Sequence, residues 1–452
     1  MTNPRSSPVR PWWQGPAAPA GSLGTGAAVT VFLAFAFGYF LSALVRAVTA
    51  TLAPQFSAEL GLSAADLGLL AGAYFFGFAL TQLPLGRALD RHGPKRVLLV
   101  LLTVGVLGCA AFALAGGFSA LIVSRMLIGV GVSACLMAPL TAYRRYFSPG
   151  AQMRANSWML MTGSLGMLAS TLPVQWLLPL LGWRGLFWLL AAAVIVAMWL
   201  VMVLVPGEAP GAAPYAHRQS AGSAPQAGAS PSAGASAHPS GYAQVFAHPV
   251  FVSFAPMAVF NYGGMVAIQA LWAGPWLTQV CGWTPHQAAQ GLFVINLSML
   301  LTFLAWGAVV PRLQARGWTT QALLTWGMPV SLVVLGVSIA AGPAATAGAW
   351  ALFCVTSTFV SLTQPAVGQA FDTALAGRAL SALNLLIFVG VFVVQWGVGL
   401  AIDAMQGAGW TRLAAFQGAF AAFGGCCVLS YLWFLACERR RSQPRTTAVA
   451  GT

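Results

Sequence analysis

The sequence predicts an all-α membrane protein: twelve transmembrane helices arranged as two six-helix bundles. Three observations carry that expectation: a scarcity of charge, a series of long apolar runs, and an internal repeat. Of the 452 residues, 58% are hydrophobic and only 6% are Asp, Glu, Lys or Arg, whereas a soluble domain carries roughly 25% charged residues. So few charges cannot cover a surface in contact with water, and the solvent of the fold is lipid. Runs of about 20 apolar residues recur, each long enough to cross a hydrocarbon core about 30 Å thick. They are continuous and lack period-two alternation, which selects helices over barrel strands, because in lipid each segment must satisfy its own backbone.

Taken in order, residues 1–26 form a tail rich in Pro and Gly, without the apolar core and cleavage site of a signal peptide. Spans are expected at 27–53, 66–89, 96–116, 119–142, 155–178 and 184–206, which make up the N-terminal bundle, 27–206. Residues 207–247 turn abruptly to Ala, Ser, Gly and Pro, a composition that cannot bury a core and reads as a flexible cytoplasmic linker. Spans at 248–279, 286–310, 320–341, 345–370, 379–403 and 412–436 form the C-terminal bundle, 248–436, and 437–452 is a second cytoplasmic tail.

The basic residues orient these spans. With the N-terminus inside, 17 of the 21 Lys and Arg fall in cytoplasmic segments, and only Arg184 and Arg412 fall outside. Both termini are therefore expected in the cytoplasm. The net charge of +14 is spread over short loops rather than gathered on one face, so it reads as topology and not as a nucleic-acid surface. Seven cysteines lie in or beside apolar segments without ligand spacing, so neither disulfides, metal site nor cofactor is expected. Abundant Ala, Gly and Arg beside a single lysine, Lys95, suggest a high-GC bacterium and hence its inner membrane.

Landmarks of the first half recur in the second. Gly61, Gly86 and Arg91 correspond to Gly282, Gly307 and Arg312, each pair 221 residues apart. Arg154 and Ala155 correspond to Arg378 and Ala379, and Gly182-Trp183-Arg184 to Gly409-Trp410-Thr411-Arg412. Matches in this order, at corresponding loops, mark a duplicated six-helix unit.

Between the second and third spans stands Gly86-Arg87-Ala88-Leu89-Asp90-Arg91-His92-Gly93-Pro94-Lys95-Arg96. It resembles the loop signature of the major facilitator superfamily, G-x-x-x-D-R-x-G-x-[RK]-[RK]. Its glycines suit a tight turn and close helix approach, and Asp90 suits a basic neighbour or a helix N-terminus. The resemblance implies a conformational latch made by Gly86, Asp90, Arg91, Gly93 and Arg96, with Asp90 set against the start of span eleven near Arg378. The equivalent loop after span eight has Pro311 where the aspartate would be, so a second latch is weakened. In span four, Arg125, Gly129 and Gly131 are similar to the superfamily's R-x-x-x-G-x-G. Span five lacks the Gly-Pro pair of its drug/proton antiporters.

Arg46 and Arg125 remain inside spans, where a cation costs about 2.5–3.5 kcal/mol on the lenient insertion scale. Counting residues puts both about 10 Å to the periplasmic side of their span centres. None of the seven acidic residues lies near the middle of a span, so the natural partner is an anion brought by the substrate. The stretch from Tyr39 through Arg46 to Leu62-Ser63 partly resembles the superfamily's organic anion:cation symporter branch, although the flanking Asn and Asp of many members are missing. A purely structural role remains open for each arginine, by snorkelling or by bonding to helix carbonyls.

Further candidate ligands are Tyr74, Asn261, Tyr262 and Gln269, with Gln82, Trp158, Trp272, Asn296, Gln364, Asn384 and Gln395 as polar or aromatic residues of the lining spans. For each, interhelical bonding is the alternative. The adjacent Gly263 and Gly264 could break span seven beside Asn261 and Tyr262. Trp183, Trp283 and Trp410 read as membrane-interface anchors.

The expected activity is alternating-access transport of a small organic anion by a monomer. With no central carboxylate, a coupling proton would have to travel with the substrate or on an unusual carrier. Export of amphipathic compounds, or a non-transporting scaffold or sensor, are the alternatives. No catalytic constellation points to an enzyme.

Overall fold

The computed structural model describes residues 23–206 and 241–442. The N-terminal tail up to residue 22, the linker from 207 to 240 and the C-terminal tail from 443 lie outside the described residues. Those that are described are helical, with no strand among them.

The chain begins with α1 (Thr25–Leu60), α2 (Ala64–His92), α3 (Pro94–Leu114) and α4 (Phe118–Tyr146), the last tightened where Phe118–Val132 passes into Met137–Tyr146. α5 (Pro149–Ala169) follows, and a helical run Leu172–Leu204 in which Gly182, at φ 62° and ψ 174°, makes a break. The contacts on either side show how the run divides. Arg184 pairs with Glu59 at the end of α1, whereas Lys95 at the start of α3 donates to Met202 O and Val205 O. Residues 172–181 therefore complete the crossing that α5 begins, and 183–204 return as α6.

In the second half, α7 (Pro249–Val280), α8 (Pro285–Ala315), α9 (Thr320–Ala341), α10 (Ala347–Gln369), α11 (Thr373–Gly407) and α12 (Arg412–Ser442) make six further crossings. The end of the expected linker is not irregular: Gly241–Ala247 is a short helix leading into α7.

Among the described residues, eleven helices are long and apolar enough to span a membrane, by length and composition alone. α5, with Arg154, Asn156, Ser157, Thr162 and Ser164, is not among them. Three of its hydroxyls turn back onto its own backbone: Ser157 donates to Met153 O, Thr162 to Trp158 O and Ser164 to Leu160 O. Such bonds lower the cost of carrying hydroxyls into lipid.

The repeated landmarks have a stereochemical cause. Gly61 and Gly282 have φ of 62° and 71°, and Gly182 and Gly409 of 62° and 88°, a left-handed conformation that glycine alone adopts without strain. The helices after Gly61 and Gly282 start alike. Ser63 and Asp66 form a capping box at α2, and Thr284 and Gln287 form another at α8, each satisfying otherwise orphaned N–H groups. These pairs also lie 221 residues apart, an element of the repeat that glycine and arginine landmarks alone do not reveal.

Chain ends and loops alternate between two faces. One, the termini face, carries Leu23 bonded to Tyr146 O, and Arg145 bonded to Leu89 O. The other, the Glu59 face, carries the Glu59–Arg184 pair. Trp183, expected as an interface anchor, is buried there instead, donating to Glu59 Oε2 and packing its ring on Phe56 and Phe112. Enclosure by two rings and a carboxylate outweighs its place at a loop.

Close packing within the N-terminal half explains the glycine pair of span four. A methyl on Gly129 would come 2.0 Å from Tyr74 O of α2, and one on Gly131 would come 2.1 Å from the Gly105 backbone of α3. One glycine thus admits α2 and the other α3. Across the halves, α2 lies along α11. A methyl at Gly68 would meet Gln395 O at 2.2 Å, one at Gly399 would meet Ala64 O at 2.3 Å, and Phe78 and Phe388 have ring centroids 4.4 Å apart. At the Glu59 end of this seam Asp403 accepts hydrogen bonds from Ala64 N and Ala65 N.

Candidate functional site

The two intramembrane arginines occupy different environments. Arg125 is 1% exposed. Its guanidinium donates to Val45 O at 3.1 Å and to Thr49 Oγ1 of α1, and stands over the Tyr74 ring, 5.3 Å from the centroid. Tyr74 is itself fully buried and donates to Ser42 O at 3.4 Å. Two charge-assisted hydrogen bonds, each worth about 1.5–3 kcal/mol, are of the size needed to offset the cost of placing a cation in the membrane. Tyr74 accordingly supports Arg125 and is closed to a ligand.

Arg46, next to Val45, is only half-buried. Among the described residues its hydrogen-bond acceptor is the weak Met167 Sδ at 3.7 Å, and its Nε, like that of Arg125, has no partner. Among the described residues no carboxylate pairs with either arginine; the ion pairs there are Arg184–Glu59 and Arg441–Glu438. Two half-buried phenols, Tyr39 and Tyr262, make no hydrogen bond among the described residues. Tyr39 lies about two turns before Arg46 on the same helix, and Tyr262 lies on α7. Tyr39 is held by α5, where a methyl on Gly163 would come 2.5 Å from its ring. Met167 is one helical turn further along α5, so the same helix sets both Tyr39 and Arg46.

The predicted amide ligands are engaged elsewhere. Asn261 donates to Cys427 O and to Ser430 Oγ, binding α7 to α12, and Gln269 donates to Asn296 Oδ1 at 3.0 Å, binding α7 to α8. Gln364 donates to Asn384 at 3.2 Å, Gln82 to Phe78 O, and the indole of Trp272 to the backbone O of Gln395, whose buried side-chain amide has no partner among the described residues. Trp158 is 57% exposed. The expected break at Gly263-Gly264 is absent: both are helical and serve as contact points, Gly263 on the Gly390 backbone and Gly264 on the Phe423 ring. α7 departs from α-helical geometry through three π turns, Ala258–Tyr262, Ile268–Trp272 and Trp276–Val280. Each wide turn shifts the register of the residues after it, and such shifts leave no mark in the residue pattern.

Among the described residues no ion pair joins Asp90 to α11. Asp90 is exposed and has no ion pair among the described residues, while Arg378 lies against Gly241. Gly86 sits inside α2 with no neighbour within 4 Å, so it provides neither turn nor close approach; the turn is made by Gly93 at φ 79°. Arg91 is exposed, and Arg96 borders a cleft of about 350 Å³ between α2 and α3. That cleft and another between α9 and α12 touch none of the residues around Arg46.

A family profile described as Major Facilitator Superfamily matches residues 35–395. Among curated relatives, the chain is 27% identical over 171 residues to the 4-hydroxybenzoate transporter PcaK of Acinetobacter baylyi, covering 37% of this chain and 36% of that protein. It is 30% identical over 114 residues to a probable sulfoacetate transporter, SauU, of Cupriavidus necator, covering 25% and 26%. With the hexuronate transporter of Bacillus subtilis it shares 37% identity over 101 residues, covering 22% and 23%. The matches thus span about a third or less of those proteins. Among solved structures, a bacterial homologue of the human lysosomal transporter Spinster, inward-facing and unoccupied, superposes with TM-score 0.70 at 16% identity, covering 92% of this chain and 98% of that one. The D-xylose-proton symporter does so with TM-score 0.67 at 16% identity, covering 90% and 97%.

Proposed function

The chain belongs to the major facilitator superfamily, and from that premise we propose that it is a secondary active transporter of a small organic anion in a bacterial inner membrane. The observation that carries this reading is Arg46, a half-buried guanidinium at membrane depth whose hydrogen-bond acceptor among the described residues is a sulfur and whose Nε is unpartnered. A carboxylate or sulfonate would supply the missing acceptor in bidentate geometry. The names of the relatives, transporters of 4-hydroxybenzoate, sulfoacetate and hexuronate, support an anionic substrate.

Transport proceeds by rocking of residues 27–206 against 248–436 around this point. In this reading the basic loops lie in the cytoplasm, and the contacts around Asp403 hold the two halves together at the periplasmic end. The latch of Gly86, Asp90, Arg91, Gly93 and Arg96 is then remade when the cytoplasmic end closes.

The test is uptake and counterflow of labelled organic anions, cations and neutral solutes in proteoliposomes. Saturable anion counterflow is expected for the wild type and is lost in Arg46→Gln. Anion flux that survives Arg46→Gln overturns the reading and promotes export of amphipathic compounds.

A further inference from the structure

Independently of the transport reading, we propose that the cleft between α2 and α3 binds one anionic phospholipid, with its phosphate on Arg96 and His92 and one acyl chain between the helices. At about 350 Å³ the cleft lies at the small end of ligand sites, which span about 300–1,000 Å³. It is apolar along Pro84 and Ala88 of α2 and Val100 and Leu101 of α3, and it ends in His92 and Arg96. At the other end the hydroxyl of Thr81 donates to Phe78 O of its own helix, so it needs no further partner.

The dimensions suit a lipid. From Thr81 to His92 the cleft follows α2 for about 16 Å, close to one leaflet's share of a hydrocarbon core about 30 Å thick. α3, Pro94–Leu114, rises about 31 Å, so Arg96 in its first turn stands at headgroup level. Val100 shows which way the cleft opens. With Leu107 and Leu114 it forms a stripe of exposed aliphatic side chains, 62%, 61% and 72% exposed at seven-residue spacing, on one face of α3. That face meets hydrocarbon, so the occupant comes from the bilayer.

Charge selects among lipids. The turn carries Arg87, Arg91, Lys95 and Arg96 against the single acid Asp90, and none of them forms an ion pair among the described residues. Lys95 is bound to Met202 O and Val205 O. Asp90 lies about 200° around α2 from both Ala88 and His92, on the far side of the helix, and leaves the rim of the cleft cationic. α3 has no acid in its first turn, so the positive pole of its N-terminus adds to that rim. The Arg96 guanidinium can grip two phosphate oxygens, and the His92 ring offers a further N–H. A zwitterionic headgroup would bring its own cation to the same place.

The experiment is native mass spectrometry of the purified full chain, titrated with equal amounts of phosphatidylglycerol and phosphatidylcholine carrying the same acyl chains. Phosphatidylglycerol is expected to fill the first site with about tenfold preference. Arg96→Gln should bring that preference close to one, whereas Arg312→Gln, at an exposed cation of the corresponding loop in the second half, should keep it. Val100→Trp fills the slot and should lower first-site occupancy about fivefold or more. Leu107→Trp, on the same face but outside the cleft, should not. Glycerol 3-phosphate at the lipid's concentration should leave the lipid in place, because it lacks the chains.

Equal retention of the two lipids by the wild type overturns the proposal. So does displacement by glycerol 3-phosphate, which would mark a free-phosphate site, and neither readout needs a variant to fold. A loss of preference in Arg312→Gln as large as in Arg96→Gln also overturns it, since diffuse attraction of basic loops to anionic lipid gives that result. Undiminished occupancy in Val100→Trp removes the cleft as the site.

Discussion

Arg125 donates two hydrogen bonds from an enclosed guanidinium, so its removal should register in stability. Arg125→Ala relieves the burial of a cation but strips two charge-assisted bonds and leaves a void beside Tyr74. The net cost is expected to be about 1–3 kcal/mol, read as a lower melting temperature of the purified protein in detergent. Arg46→Gln removes a group with one weak sulfur contact, and there the melting temperature should hold while anion transport is lost. Equal destabilisation by both substitutions would show that Arg46 is structural. Gly163→Ala separates position from chemistry, since the added methyl would strike the Tyr39 ring at 2.5 Å. It should weaken substrate affinity several-fold without removing any binding group, measured as a rise in half-saturating concentration. At this scale the sequence marked the arginines by their charge in an apolar run. It could not separate their roles, because those depend on Val45 O, Thr49 and Met167, contacts made across helices.

Among the elements, α4 shows how a short motif serves several neighbours. Arg125, Gly129 and Gly131 are spaced so that one reaches α1, one admits α2 and one admits α3. Membrane helices associate largely through such close contact, since lipid competes equally for apolar side chains. Gly129→Leu should therefore force α2 and α4 apart and reduce the yield of monodisperse protein on size-exclusion chromatography. The same substitution at Gly336, which has open space around it, should leave the yield unchanged. α5 illustrates the opposite limit, a crossing that composition alone underrates because its hydroxyls are satisfied within the helix. α7 illustrates a third: its π turns hold Tyr262 and Gln269 at positions that a regular period of 3.6 would not give.

Across the whole molecule, the halves meet along α2 and α11, over about 21 Å from Ala64 to Phe78. The Glu59 end of the seam is closed by Asp403, whose two oxygens accept from Ala64 N and Ala65 N at 3.1 and 2.8 Å. A carboxylate on a helix N-terminus is worth about 0.3–2 kcal/mol, enough to bias two conformations separated by a few kcal/mol. Asp403→Ala should shift the population toward opening at this end. Spin labels at Leu62 and Met405 would show it as a longer-distance component that grows relative to the otherwise wild-type chain; an unchanged distribution would remove Asp403 from the gate.

Composition and spacing are enough to establish the solvent of the fold, the number of crossings, the duplication and the chemical oddity of two cations without acids. Each of these depends on composition, spacing or local backbone conformation, as with Gly61 and Gly282 at φ 62° and 71°. Folding settles which arginine already has strong acceptors, which amides are paired across helices, and that Asp403 sits on the N-terminus of α2. Those outcomes are set by pairs such as Asn261 with Ser430 and Ala64 with Asp403, 169 and 339 residues apart. Hydrogen-bonding capacity is a property of a residue, but its satisfaction is a property of whatever the fold brings within about 3 Å of it.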